Sequence, residues 1–320
     1  MAEDWLGHDP FSEEDPAAAQ RERRRHEREE RRRGRSVRIP PKRALTVAAV
    51  LVALAAAAVA AGEAYRHFHE EAPPPVVART ISVTIPEGYS REQTAAVARE
   101  AGLRGSYMKA SVHSPFLNPA KYGGAGARNL EGFLFPDTFE LERGAPASDL
   151  VQLQLRDFKR RIAGVDMSYA RSKNLTTYDV LTIASMVERE AQLESERPLI
   201  AAVIYNRLHE GMTLGIDATI RFATGNYTEP LSESELAVDS PYNTRLNSGL
   251  PPGPIGNPGL ASIEAAARPA KVDYLFYVVK PGTCGEHSFT ASEAQFDEDV
   301  ARYEEAREAA GGQSPDTCGE

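Results

Sequence analysis

Two acidic residues, Glu188 and Glu190, sit near the end of a run whose apolar residues recur at helical spacing. Thr176 and Asp179 have the three-residue spacing of a capping box, which predicts a helix start there. Val180, Ile183, Ala184, Val187 and Ala191 then fall on one face. At about 100° per residue, Glu188 and Glu190 lie on opposite flanks of that stripe and Arg189 points to solvent. A free glutamic acid, with pKa about 4.3, is ionised at neutral pH. A carboxyl at the edge of a buried apolar face, beside Met186 and Val187, loses hydration, holds its proton longer and becomes a general acid. The same spacing also describes two surface acids on an ordinary amphipathic helix, and spacing alone leaves both readings open.

A second helix follows. Ser195 is its expected cap and Pro198 lies in its first turn. Leu199, Ile200, Val203, Ile204 and Leu208 make its core face, and Gly211 stops it. Upstream, Ile81, Val83 and Ile85 alternate with polar residues as a strand does. Pro86-Glu87-Gly88 turns the chain, and Ser90 caps a helix from Arg91 to Ala101, ended by Gly102. These patterned segments, continuing to about residue 306, predict an α+β fold.

Other chemistries find no support. His113, His209 and His287 are dispersed and lack metal-ligand spacing, and neither a P-loop nor a G-x-S-x-G elbow is present. No metal and no cofactor is expected. The formal net charge of -9 over 320 residues argues against nucleic acid as a partner. Cys284 and Cys318 are the two cysteines, and an oxidising compartment would permit a disulfide between them.

Charge is unevenly spread. Residues 21–43 carry 12 Arg and Lys against 4 Glu, and Ala44 to Ala61 follows with Thr46 as its one polar residue. Eighteen residues of helix cover about 27 Å, close to the hydrocarbon thickness of a bilayer. Lys42 and Arg43 precede this run, which places the N-terminus in the cytoplasm and the bulk of the chain outside. A cleaved signal peptide is the alternative, but 43 residues before the apolar run are too many for one. The expected layout is a disordered tail at 1–43, whose Arg/Glu block has no apolar face, and a transmembrane helix at 44–62. A proline-stiffened stalk at 63–79 follows, then a small subdomain at 80–129, a larger mixed domain at 130–306 and a flexible tail at 307–320. The lipid bilayer is thus one partner.

Four blocks occur in order: LEGFLFPDTF (130–139), LTIASMVEREAQLESER (181–197), VIYNRLHEGMTLGIDATI (203–220) and SPYNTRLNSGLPPGPIGNPGLASIEAAARPAKVDYLFYV (240–278). With HSFTAS (287–292) they resemble the endolytic murein transglycosylase family, also called MltG or YceG-like, from about residue 80 to 303. The resemblance implies a single-pass protein of the bacterial cell membrane with a LysM-like subdomain and an extracytoplasmic catalytic domain. It also implies peptidoglycan glycan strands as substrate and membrane-bound peptidoglycan synthases as partners. Its catalytic glutamate falls on Glu190, with Glu188 as the alternative. Ala191 stands where the family commonly has Ser or Thr, and Phe139 where Tyr is usual.

The implied chemistry needs one acid, because the sugar's own C6 hydroxyl replaces water as nucleophile. Protonated Glu190 donates to the oxygen between N-acetylmuramic acid and N-acetylglucosamine, and the carboxylate so formed accepts the C6 proton as O6 closes on C1. Glu131 and Asp137 either line the glycan cleft or stabilise their loop. Asn206 either binds substrate or braces a neighbouring helix, and Asp217 and Thr219 either line the site or cap a helix. Tyr242, beside Asn243, either stacks on a sugar or packs in the core, and the 250–258 loop either walls the groove or only connects. A non-catalytic, membrane-tethered scaffold for the synthases is the competing function.

Overall fold

The computed structural model describes residues 16–33, 41–69, 80–312 and 314–315. Pro73 to Pro75 and Cys318 lie outside the described residues, as does the rest of the N-terminal tail; Cys284 is disulfide-bonded. The chain divides into two units, Met1–Val76 and Val77–Glu320.

In the first unit the Arg/Glu block forms helix α1 (Pro16–Arg33), and its described side chains are exposed. Helix α2 (Pro41–His69) contains a stretch, Leu45–His67, long and apolar enough to cross a membrane. The helix runs through residues 63–69, assigned above to the stalk, because nothing between Gly62 and His69 breaks it.

The second unit is mixed α+β. Strand β1 (Thr80–Thr84) is followed by α3 (Arg91–Glu100) and the short α4 (Tyr107–Ala110). Strand β2 (Thr138–Glu142), α5 (Ala147–Ile162) and α6 (Ser168–Ser172) come next, then α7 (Thr177–Glu190) and α8 (Arg197–Glu210). The chain ends with α9 (Asp217–Thr224), α10 (Glu233–Leu236), α11 (Leu260–Ala267), β3 (Phe276–Val279), β4 (His287–Thr290) and α12 (Glu293–Ala309). Helix α12 thus passes residue 306 before ending.

Strand β1 pairs antiparallel with β2, Thr80 opposite Glu142 and Thr84 opposite Thr138. Val83, Phe139 and Leu141 face inward, as their alternation requires. This ladder crosses residue 129, and one apolar cluster holds Val83 and Ala98 together with Leu134 and Val180. Strands β3 and β4 form a second antiparallel pair, with Val279 opposite His287.

Helix α7 is the pillar of the unit and packs against α8, α9 and α11. It starts at the expected capping box, with Thr176 and Asp179 satisfying each other's backbone N–H groups. Every residue from Val180 to Val187 is buried, so the helix is enclosed on all sides rather than on one face. Thr182 and Ser185 tolerate this because their hydroxyls bond the carbonyls of Tyr178 and Thr182, and Ser185 Oγ also accepts from Ile255 N. Helix α8 begins differently from expectation. Its N-cap is Glu196, preceded by a 3-10 turn over Glu194–Glu196, and Ser195 makes no cap. It ends at Gly211 in the left-handed conformation, as predicted.

Candidate active site

Glu190 is the last residue of α7, where the helix stops and Ala191 turns extended. Its half-buried side chain faces a cleft of about 520 Å³ lined also by Asp217, Arg245, Tyr277 and His287. Glu190 Oε2 accepts a hydrogen bond from the Tyr277 hydroxyl at 3.0 Å. Burial raises the Glu190 pKa, and the negative charge of Asp217 adds to the rise. The Tyr277 hydroxyl and the Ala218 N–H at the start of α9 work against it. Burial also holds the Tyr277 proton in place, so that hydroxyl stays a donor. The balance leaves a carboxyl that keeps its proton above the ordinary range and a cleft open enough to admit a ligand.

Two residues earlier, Glu188 lies on the other flank, as predicted, in different surroundings. Its side chain is 6% exposed. Oε2 accepts from the Gly259 N–H at 2.8 Å, and Oε1 faces Arg197 Nη2 at 3.5 Å. Both oxygens are therefore committed to holding the start of α11 and the start of α8. Arg189, expected in solvent, is half-buried with its guanidinium over the Tyr227 ring at 5.2 Å. Residues folding back from position 227 cover this flank, which helical spacing could not reveal.

The other sequence candidates divide into groups. Asp217 joins Glu190 in the cleft, where its Oδ1 accepts from Arg245 Nε at 2.8 Å. Glu131 and Tyr242 meet in a second cleft of about 440 Å³, with Tyr178, Phe222 and Pro254. Tyr242 is half-buried there, packed on Phe222 at 4.9 Å. Glu131 is buried, accepting Arg91 N at 3.1 Å and Asn257 Nδ2 at 2.8 Å, and burial pushes its pKa up to about 7. Asp137 stands apart, paired with Arg161 at 3.2 Å. Asn206 braces backbone, its amide donating to the carbonyls of Val272 and Tyr274. Thr219 and Asn243 are fully buried, the first bonded to Ile216 O and Thr244, the second to Leu236 O and Val238 O. Among the described residues no cluster of His, Cys, Asp and Glu could hold a metal ion.

Sequence reasoning passed over Tyr277, Arg245, Glu196 and His287 as site members. Tyr277 and Arg245 lay inside the longest of the matching blocks, Glu196 inside an earlier one, and His287 opened the last. No local pattern distinguished them from their neighbours there.

An α+β unit built around one enclosed helix, offering a single desolvated acid at the edge of an open cleft, is equipped for proton donation to a bound ligand. The chain belongs to the YceG-like family, whose model matches residues 55–302. It is similar to an endolytic murein transglycosylase of Streptococcus pneumoniae R6, with 32% identity over 261 residues, covering 73% of this chain and 46% of that protein. It is also similar to an endolytic murein transglycosylase of Bacillus subtilis 168, 35% identical over 175 residues, covering 54% of this chain and 48% of that one. A crystal structure of a YceG-like protein from Listeria monocytogenes shares the fold with a TM-score of 0.60 and 29% identity, covering 68% of this chain and 75% of that chain. The chain spans about half the length of these transglycosylases.

Proposed function

We propose that the protein is a membrane-anchored lytic transglycosylase that cuts peptidoglycan glycan strands internally. Glu190 acts as the acid, protonating the oxygen that links N-acetylmuramic acid to N-acetylglucosamine. The C6 hydroxyl of the muramic acid closes on C1 and leaves a 1,6-anhydro end. A glycosidase that activates water needs a second carboxylate beside the bond. A reaction whose nucleophile is already attached to the sugar needs no carboxylate to activate water, only a proton donor and an acceptor for the C6 proton, and one raised carboxyl in the cleft suits the donor's part. That raised carboxyl, facing open space while Glu188 is tied into the scaffold, is the observation that carries the reading.

In this reading α2 spans the cell membrane once with the N-terminus in the cytoplasm. Residues 80–129 act as a LysM-like glycan-binding part and residues 130–306 carry the chemistry. Cutting nascent strands near the membrane limits their length and places the enzyme beside membrane-bound synthases. The test is mass spectrometry of muropeptides released from uncapped polymer by the wild type and by Glu190→Gln. The variant should fold normally and form no anhydro ends. Anhydro ends at the wild-type rate from Glu190→Gln would remove the assignment, and their absence from both proteins would favour a tethered scaffold.

A further inference from the structure

The C6 hydroxyl loses a proton as its oxygen closes on C1, and the simplest single-acid scheme returns that proton to Glu190. In that scheme the proton returns to a carboxyl whose Oε2 already takes the Tyr277 hydroxyl at 3.0 Å. A second acceptor stands in the same cleft. His287, at the start of β4, lines the cleft with its side chain 6% exposed. Its Nδ1 lies 2.7 Å from Glu196 Oε2, and its backbone N–H donates to Glu196 Oε1 at 2.8 Å. Glu196, itself buried, thus grips both the ring and the backbone of one residue. A carboxylate on Nδ1 selects the tautomer with its proton there and leaves a lone pair on Nε2. Among the described residues Nε2 has no hydrogen-bond partner and is not sealed from solvent. The ring also meets Tyr277 edge to face at 5.3 Å, and Tyr277 holds Glu190.

We propose that the Glu196–His287 pair is the base of the reaction and Glu190 the acid. The bond from C1 to the linking oxygen breaks as that oxygen takes the Glu190 proton. The bond from O6 to C1 forms as the O6 proton passes to His287 Nε2. One bond is lost and one gained, nothing is oxidised and no water is consumed. Solvent then carries the proton from the imidazolium back to Glu190 for the next turnover. His287 is a catalytic residue in this scheme, and Glu196 is a positioning residue that orients the ring.

The inference rests on the acid role of Glu190, and its test separates the two. The full chain in detergent is given uncapped glycan polymer, and anhydro ends are counted over time for wild type, Glu190→Gln, His287→Ala, His287→Gln and Glu196→Gln. Both His287 variants should lose about 100-fold in kcat with KM unchanged, the scale of a lost general base. Glu196→Gln should lose kcat in the same sense. Imidazole added to His287→Ala should restore turnover in proportion to its concentration, which a packing role would not allow. Wild-type kcat in either His287 variant overturns the dyad, and so does a normally folded His287→Ala that imidazole leaves inactive. If Glu190→Gln is inactive while the His287 variants keep their kcat, only the dyad falls; an active Glu190→Gln removes the acid itself.

Discussion

A carboxyl group in water gives up its proton well below neutral pH, so whether Glu190 can act as an acid is decided by the few atoms around it. Burial and Asp217 favour the neutral form, whereas the Tyr277 hydroxyl favours the ion. Tyr277→Phe removes a donor to a charged group, worth about 1.5–3 kcal/mol when present. Without it the Glu190 pKa should climb further. Because the acid works only while protonated, the alkaline limb of the kcat profile should move to higher pH, with kcat at its maximum about tenfold lower for want of orientation. A profile with an unmoved alkaline limb would mean that the limb reports another group. The sequence placed both glutamates on the flanks of one helix, where they are. It could not tell them apart by spacing, because their difference lies in partners 71 and 87 residues away, Gly259 for Glu188 and Tyr277 for Glu190.

Elements are positioned by close backbone contacts that small residues permit. The 250–258 loop, read from the sequence as rigid and rich in proline and glycine, runs against the turn between β1 and α3, where Gly88 N donates to Asn257 O and Asn257 N to Tyr89 O. A Cβ at Gly256 would overlap the Gly88 carbonyl oxygen, which is backbone and cannot swing aside. Gly256→Ala should therefore lower stability by about 3 kcal/mol, read from the urea midpoint. Gly164→Ala, whose added carbon would meet its nearest neighbour at an ordinary 3.7 Å, should stay within about 0.5 kcal/mol of wild type. Equal midpoints for the two variants would show that the loop yields more easily than its contacts imply. The start of α7 was legible because Thr176 and Asp179 stand three residues apart, and that of α3 because Ser90 follows a turn. The cap of α8 was misread because a 3-10 turn precedes it, and the full enclosure of α7 was hidden because a period of 3.6 marks one apolar face, not every covering element.

For the molecule as a whole, Glu131 ties three distant segments together: its own loop, the first N–H of α3 and the side chain of Asn257. Burial raises its pKa from 4.5 to about 7, against the pull of those N–H donors. The folded chain therefore keeps a proton that the unfolded chain releases above the ordinary carboxyl pKa. Its contribution to stability is complete below 4.5 and is lost as pH rises through about 7. Thermal midpoints of the full chain in detergent should fall between about pH 5 and pH 8 by more in the wild type than in Glu131→Gln, which cannot titrate. Equal falls in both would assign the pH dependence elsewhere. On its own the sequence determined what neighbouring residues control: the apolar span, the helix periods, the caps at Ser90 and Thr176, the stop at Gly211 and the α+β class. Only the tertiary structure decided which polar groups meet. The drying of a carboxyl and the partners it finds depend on segments brought together from far along the chain, as Glu196 and His287 are across 91 residues.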